Sequence, residues 1–263
     1  MTDHATTNSL TRQPSTKAHR EFLYNFPIEE SRRKLEGSSP EEQIQWAYKE
    51  FGANFALTTS FGIQSAILLN MVHLLKLQIS PTVIWVDTGY LPHETYKYAE
   101  ELINKLNINI KVVQSHISPA RMEALHGKLW ETKSEKDLEK YHLIRKVNPL
   151  EEAFDELNIL CWASGVRGGQ TRHRSSMSCL DKIRDRLSIR PLLNWTTKDV
   201  YYYMQEHNLP QHPLFHKGYS TIGDWHSSGP DSTNEKGRNT RFGGLKEECG
   251  IHLPASNGDN HKE

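Results

Sequence analysis

The sequence predicts an α/β fold built on a doubly wound, mostly parallel sheet. Three observations lead there. From Asn54 to His207, short runs rich in β-branched and aromatic residues alternate with longer helical stretches, the order from which helix-covered parallel sheets are built. The first strand run passes directly into a small polar loop, Ser60-Phe61-Gly62-Ile63-Gln64-Ser65, and then an apolar helix. The second delivers Asp87 at its carboxyl end, where ligands gather in open α/β sheets.

Taken in order, Ser39-Pro40-Glu41-Glu42 starts a helix. Ser39 is the N-cap, Pro40 lies in the first turn and Glu42 completes a capping box. Gly52 ends it. Asn54 to Thr59 is the first strand, and the loop after it aims backbone N–H groups at an anion. A helix spans Ala66 to Leu77, a buried strand Thr82 to Val86, a helix Glu94 to Leu106 and a strand Ile108 to Val113. Ser118 to His126 is helical, and the stretch to Tyr141 is polar. Pro149 to Leu157 is a helix before the strand Ile159 to Ser164, where Cys161 reads as inert core.

The loop Gly165 to Arg174 follows with three arginines, Arg167, Arg172 and Arg174, whose planar forks suit phosphate. Cys179 falls in a loop and reads as incidental. Leu187 to Leu193 is a strand, and Thr196-x-x-Asp199 caps a helix ending near His207. His207, His212 and His216 match no zinc spacing and read as surface residues of a turning chain. On local chemistry alone, the 60–65 loop is also an ordinary turn, Asp87 a turn or capping residue, and the arginine loop a solvated one.

The 263 residues suffice for a substantial core, and 32 basic residues balance 32 acidic ones. That balance argues against bulk binding to nucleic acid or to a membrane surface, though not against a local basic pocket. No apolar run approaches the ~20 residues of a membrane span, and residues 1–20 lack the apolar core of a secretory signal, so a cytoplasmic protein is expected. Three cysteines without a Cys-x-x-Cys exclude a disulfide framework and an all-cysteine metal site within one chain. Met1 to His19 and Ala255 to Glu263 read as disordered ends.

The third cysteine, Cys249, stands in Lys246-Glu247-Glu248-Cys249-Gly250-Ile251-His252. Gly243, Gly244 and Gly250 give this segment freedom to move. Nearby cations favour the nucleophilic thiolate; Lys246 and His252 are the candidates, opposed by Glu247 and Glu248. A stray surface cysteine is the alternative. The chain divides into a polar, partly disordered segment (1–38), a nucleotide-binding α/β domain (39–215) and a C-terminal segment carrying the cysteine (216–263).

Lys246 to His252 resembles the Lys-x-Glu-Cys-Gly-Leu-His signature of the adenylyl-sulfate and phosphoadenylyl-sulfate reductases, with Ile251 for the leucine. Trp85 to Tyr96 is similar to another segment of that family, and Arg167, Gln170, Thr171 and Arg174 match its arginine loop, from which Gly168 and Gly169 depart. Ser60 to Ser65 resembles the pyrophosphate-binding loop of the ATP pyrophosphatase (PP-loop) superfamily, with Phe61 for a glycine and Gln64 for the usual aspartate. Relatives that carry an iron–sulfur cluster have cysteines where Tyr141, His142, Asp224 and Ser227 stand.

The resemblance therefore implies an adenine nucleotide alpha hydrolase-like fold with a mobile redox tail, and an enzyme without iron–sulfur cluster, flavin or metal. It implies reduction of phosphoadenylyl sulfate to sulfite, with reduced thioredoxin or glutaredoxin as electron donor and partner. In that reading Cys249 attacks sulfur, assisted by Lys246, His252, Arg238 and Arg241. Ser60, Phe61, Gly62, Gln64, Ser65, Asp87, Lys146, Gly165, Arg167, Gln170 and Arg174 hold the nucleotide. A homodimer stays open. So do three alternatives: a cluster-free adenylyl-sulfate reductase, a nucleotidyl transferase of the PP-loop type, and a nucleotide-binding or thiol-sensing protein without turnover.

Overall fold

Six strands make one sheet: β1 (Phe55–Thr59), β2 (Thr82–Val86), β3 (Ile110–Val113), β4 (Cys161–Ala163), β5 (Leu180–Ile183) and β6 (Arg186–Ile189). Their order is β3-β2-β1-β4-β6-β5. All neighbours run parallel except β5, which returns antiparallel along the edge of β6. The computed structural model describes residues 17–253 apart from Glu235 and Glu247. Of the ends expected to be disordered, 1–16 and 255–263 lie outside these residues, and 17–19 are helical.

Side chains of a strand alternate between the two faces, and both faces here are covered, as a parallel sheet requires. Phe55, Leu57, Val83, Trp85, Cys161, Ala163, Leu187 and Ile189 bury into one core. Four helices supply its other half: α3 (Pro40–Phe51), α4 (Ala66–Leu75), α5 (His93–Leu106) and α10 (Thr197–Glu206). The alternate residues Ala56, Ile84 and Trp162 pack on the opposite face against Leu150, Ala153 and Phe154 of α8 (Asn148–Glu156). The predicted capping boxes form at Ser39–Glu42 and Thr196–Asp199.

Four features differ from the sequence expectation. Within the polar segment expected over 1–38, α1 (Lys17–Asn25) and α2 (Ile28–Leu35) form, and Leu23 and Leu35 join the main core. In the polar stretch before Tyr141, α7 (Glu135–His142) forms on Ser134 as N-cap. The loop expected around Cys179 leads into the β5–β6 hairpin. Finally, His212 is no surface residue: it is fully buried. Its Nδ1 accepts the Leu214 N–H at 3.1 Å, and its Nε2 lies 3.1 Å from Thr95 Oγ1.

That burial pushes the His212 pKa down to about 4, against some opposition from Glu94. Protonation at Nδ1 would also break the Leu214 bond. As the pH falls below the ordinary value of 6.5, the unfolded chain takes up this proton and the folded one does not, so stability is present above that value and is lost on acidification towards pH 4. Urea midpoints measured across this window should fall less steeply for His212→Gln than for the parent protein. Equal slopes would remove His212 from the account.

Candidate active site

The strand order reverses between β1 and β4, and a pocket opens at the carboxyl ends beside that point, where open α/β sheets place their ligands. Its floor is Thr58 to Ser60, Gly62, Gln64 and Ser65 after β1, Thr88 after β2, and Ser164 and Gly165 after β4. Gln170 and Arg174 form one wall, and Ser220 to Asp224 the other. Lys146, Arg238, Arg241, Cys249 and His252 complete it. The thiol therefore faces a cavity lined by four cations, Lys146, Arg174, Arg238 and Arg241.

The loop after β1 makes a left-handed turn at Phe61, which takes φ +44°, an unusual conformation for a bulky residue. Its ring is fully buried and meets Trp85 edge-on at 4.8 Å. Phe61 thus shapes the loop from below, and its side chain does not line the pocket as expected.

Asp87 also departs from expectation. Its carboxylate accepts from the Gly89 N–H at 2.8 Å, the Tyr96 hydroxyl at 2.7 Å and Gln114 Nε2 at 2.7 Å. Those bonds occupy it beneath the pocket rather than in its lining.

In the arginine loop, Gly168 N–H donates to the Leu193 carbonyl at 2.7 Å and ties the loop to the segment after β6. Arg167 does not reach the lining directly but donates to Gln64 Oε1, so it steadies the loop after β1 from outside. Gln170 Oε1 accepts both the Arg167 N–H, at 3.1 Å, and Arg174 Nη1. Arg172, the neighbour able to compensate for Gly168, is exposed and outside the pocket.

The tail lies across the pocket. Glu248 is buried and makes a two-point contact with Arg174, through Nε and Nη2 at 2.8 Å each. It also accepts from Thr171 Oγ1 at 3.0 Å, with Arg238 Nη2 3.7 Å away. Burial raises the Glu248 pKa, but the Arg174 hydrogen bonds and charge outweigh it and keep the group ionised. Arg238 is pushed down to about 10 by burial and by Arg174, the mark of cations crowded together.

His252 stacks on Trp162 at 5.3 Å, and burial and four arginines hold its pKa well below the ordinary value. It is neutral, so it supplies no charge of its own to the thiol or to an anion. Lys246 pairs with Glu139 at 2.9 Å and does not line the pocket; the expected cation beside Cys249 is instead provided by the arginines.

Lys146 stands on a π-helical turn, Leu143–Val147, between α7 and α8, an irregularity common at functional sites. Its Nζ lies 2.5 Å from Asp224 Oδ2, and both residues are buried. Thr88 Oγ1 donates to Asp224 Oδ1 at 2.5 Å. Arg241 Nη2 donates to Ser227 Oγ at 2.8 Å. Its guanidinium crosses Gly223 so closely that an added Cβ would meet Nη1 at 2.0 Å, so any side chain there would push the guanidinium aside.

Asp224 and its neighbours were missed as site residues. The signal was its position among the four where cluster-bearing relatives have cysteines. Tyr141, His142, Asp224 and Ser227 are all buried, with the rings of Trp130 and His226 against Tyr141 and that of Phe242 against His142. This set offers no thiolate and does not fit an iron–sulfur cluster.

The architecture is that of the PP-loop, adenine nucleotide alpha hydrolase-like class. Among solved structures, the chain is similar to the FMN adenylyltransferase of Candida glabrata at 12% identity and a TM-score of 0.51, over 84% of this chain and 74% of that one, a likeness of fold alone. It is more similar to the phosphoadenylyl-sulfate reductase of Candida auris, solved with phosphate, at 25% identity and a TM-score of 0.64, over 83% of this chain and 100% of that one. Residues 54–230 match the model of the phosphoadenosine phosphosulfate reductase domain. A Synechococcus phosphoadenosine 5'-phosphosulfate reductase is 52% identical over 231 residues, 86% of this chain and 97% of that one. The chain belongs to the phosphoadenosine phosphosulfate reductase family.

Proposed function

We propose that the chain reduces 3′-phosphoadenylyl sulfate to sulfite and adenosine 3′,5′-bisphosphate, with a reduced thioredoxin or glutaredoxin as electron donor in the cytoplasm. The observation that carries this reading is one pocket holding both the Cys249 thiol and four cations beside the loop after β1. A phosphosulfate brings negative charge that the cations match, and its leaving nucleotide is stabilised by the same groups. The nucleotide lies over Ser60, Gly62, Gln64, Ser65, Gly165 and Gln170, with Lys146, Arg174, Arg238 and Arg241 turned to its anionic end.

The Cys249 thiolate attacks the sulfur. A sulfur–sulfur bond forms, the sulfur–oxygen bond to the phosphate breaks, and the bisphosphate departs with that electron pair. An S-sulfocysteine remains. A thiolate of the donor attacks Cys249 Sγ, sulfite leaves with the electrons of the sulfur–sulfur bond, and the donor's second thiol resolves the mixed disulfide. Sulfur gains two electrons and the donor dithiol becomes a disulfide. Cys161 is buried with its pKa pushed up by burial, so it is no resolving thiol.

The test is sulfite release driven by reduced thioredoxin, with phosphoadenylyl sulfate and adenylyl sulfate compared side by side. Preference for the 3′-phosphorylated substrate is expected. Preference for the plain one would keep the chemistry and change the substrate. Sulfite from neither would overturn the reading.

A further inference from the structure

The turn behind Cys249 is held by a residue that the reaction scheme does not use. Arg184 sits at the tip of the β5–β6 hairpin with φ +52°, and its side chain is only 6% exposed. Nη1 donates to the carbonyls of Gly250 at 3.3 Å and Leu253 at 2.9 Å, and Nη2 to that of Ile251 at 3.0 Å. Nε donates to Glu151 Oε1 at 2.5 Å, and Glu151 Oε2 holds Arg186 at 2.6 Å. Helix α8 thus fixes the hairpin tip, and the tip gathers the tail. The turn itself closes through the Leu253 N–H to the Gly250 carbonyl at 3.1 Å, with Gly250 at φ +83°. On the other side of Cys249, Glu248 is held by Arg174. The thiol lies between two charged anchors that grip adjoining residues.

A planar guanidinium presents its donors in a fixed fork and serves several acceptors at once. Lysine at the same place would keep a positive charge towards Glu151 without that fork. We propose that Arg184 is a positioning residue for Cys249: it seats the turn that follows the thiol and so holds the thiol over the pocket. Its catalytic consequence rests on the reading of Cys249 as the nucleophile. Attack on a bound nucleotide needs the tail seated, whereas transfer to an external thiol needs Cys249 exposed. Loosening the seat therefore slows the first half-reaction and spares the second.

The variants Arg184→Ala and Arg184→Lys test this, the second keeping the charge beside Glu151. Alkylation of Cys249 by iodoacetamide in the free protein, followed peptide by peptide, is expected to rise at least about tenfold in both, while Cys179 at the base of the same hairpin is unchanged. Single-turnover formation of S-sulfocysteine from phosphoadenylyl sulfate falls by a similar factor, and sulfite release from the preformed intermediate by reduced thioredoxin does not. Unchanged alkylation of Cys249, or an equal rise at Cys179, overturns the proposal. So does parental behaviour in Arg184→Lys, which would make charge and not the fork responsible. A parent protein that forms no S-sulfocysteine overturns the functional reading instead, and the alkylation rates then still decide whether Arg184 seats the tail.

Discussion

Replacing Cys249 by serine is expected to lower sulfite formation by roughly a thousandfold or more, since removing a nucleophile eliminates the covalent route. The hydroxyl is a far weaker nucleophile at neutral pH and leaves no sulfur to carry the sulfonate. Nucleotide affinity should stay within a few-fold, because the loop after β1 and the cations lining the pocket are untouched. Equilibrium binding of adenosine 3′,5′-bisphosphate, measured beside sulfite release, separates the two. Sulfite at the parental rate from Cys249→Ser would end the proposed mechanism. Lost affinity with lost activity would mean that the thiol shapes the pocket rather than reacting in it.

The largest effect on stability is expected at Asp224. It is fully buried and held between Lys146 and Thr88. Burial alone would raise its pKa, yet the charge and hydrogen bond of Lys146 carry it well below the ordinary carboxylate value. Asp224→Ala strands a buried ammonium and removes the negative charge nearest to the Arg241 guanidinium. Breaking a buried pair in this way costs about 3–5 kcal/mol, to be read from urea denaturation at neutral pH. Asp224→Asn, which keeps the hydrogen-bonding shape, should cost less. A loss below about 1 kcal/mol in Asp224→Ala would show that water, not the carboxylate, balances Lys146.

The apolar runs Phe55 to Leu57 and Val83 to Trp85 marked strands, and the structure packs their alternate side chains on the two faces of the sheet. The capping pairs marked their helices, and the loop after β1 marked the pocket. What escaped was set by distant partners. Of the β5–β6 hairpin only the second strand was expected, and Arg186 and Arg190 within and beside it are buried with Glu151 and Asp155 of α8 and Asp181 of β5 as partners. Two expected site residues, Asp87 and Lys246, are held by protein partners, among them Gln114 and Glu139 far away in sequence. His212 reads as a polar residue in a turn until Thr95 and Leu214 are seen around it. Asp224 drew notice as one of the four positions where cluster-bearing relatives have cysteine, not as a residue of the site.

Glu248 gives the arginine pocket an incumbent. Its carboxylate already fills the Arg174 fork with the geometry of a bound oxyanion. An anion arriving there has to displace that carboxylate, and Glu248, being tethered, returns at high effective concentration. Small anions that reach the fork therefore compete with the seating of the tail itself, because the carboxylate they would replace is the one that ties the residue before Cys249 to Arg174.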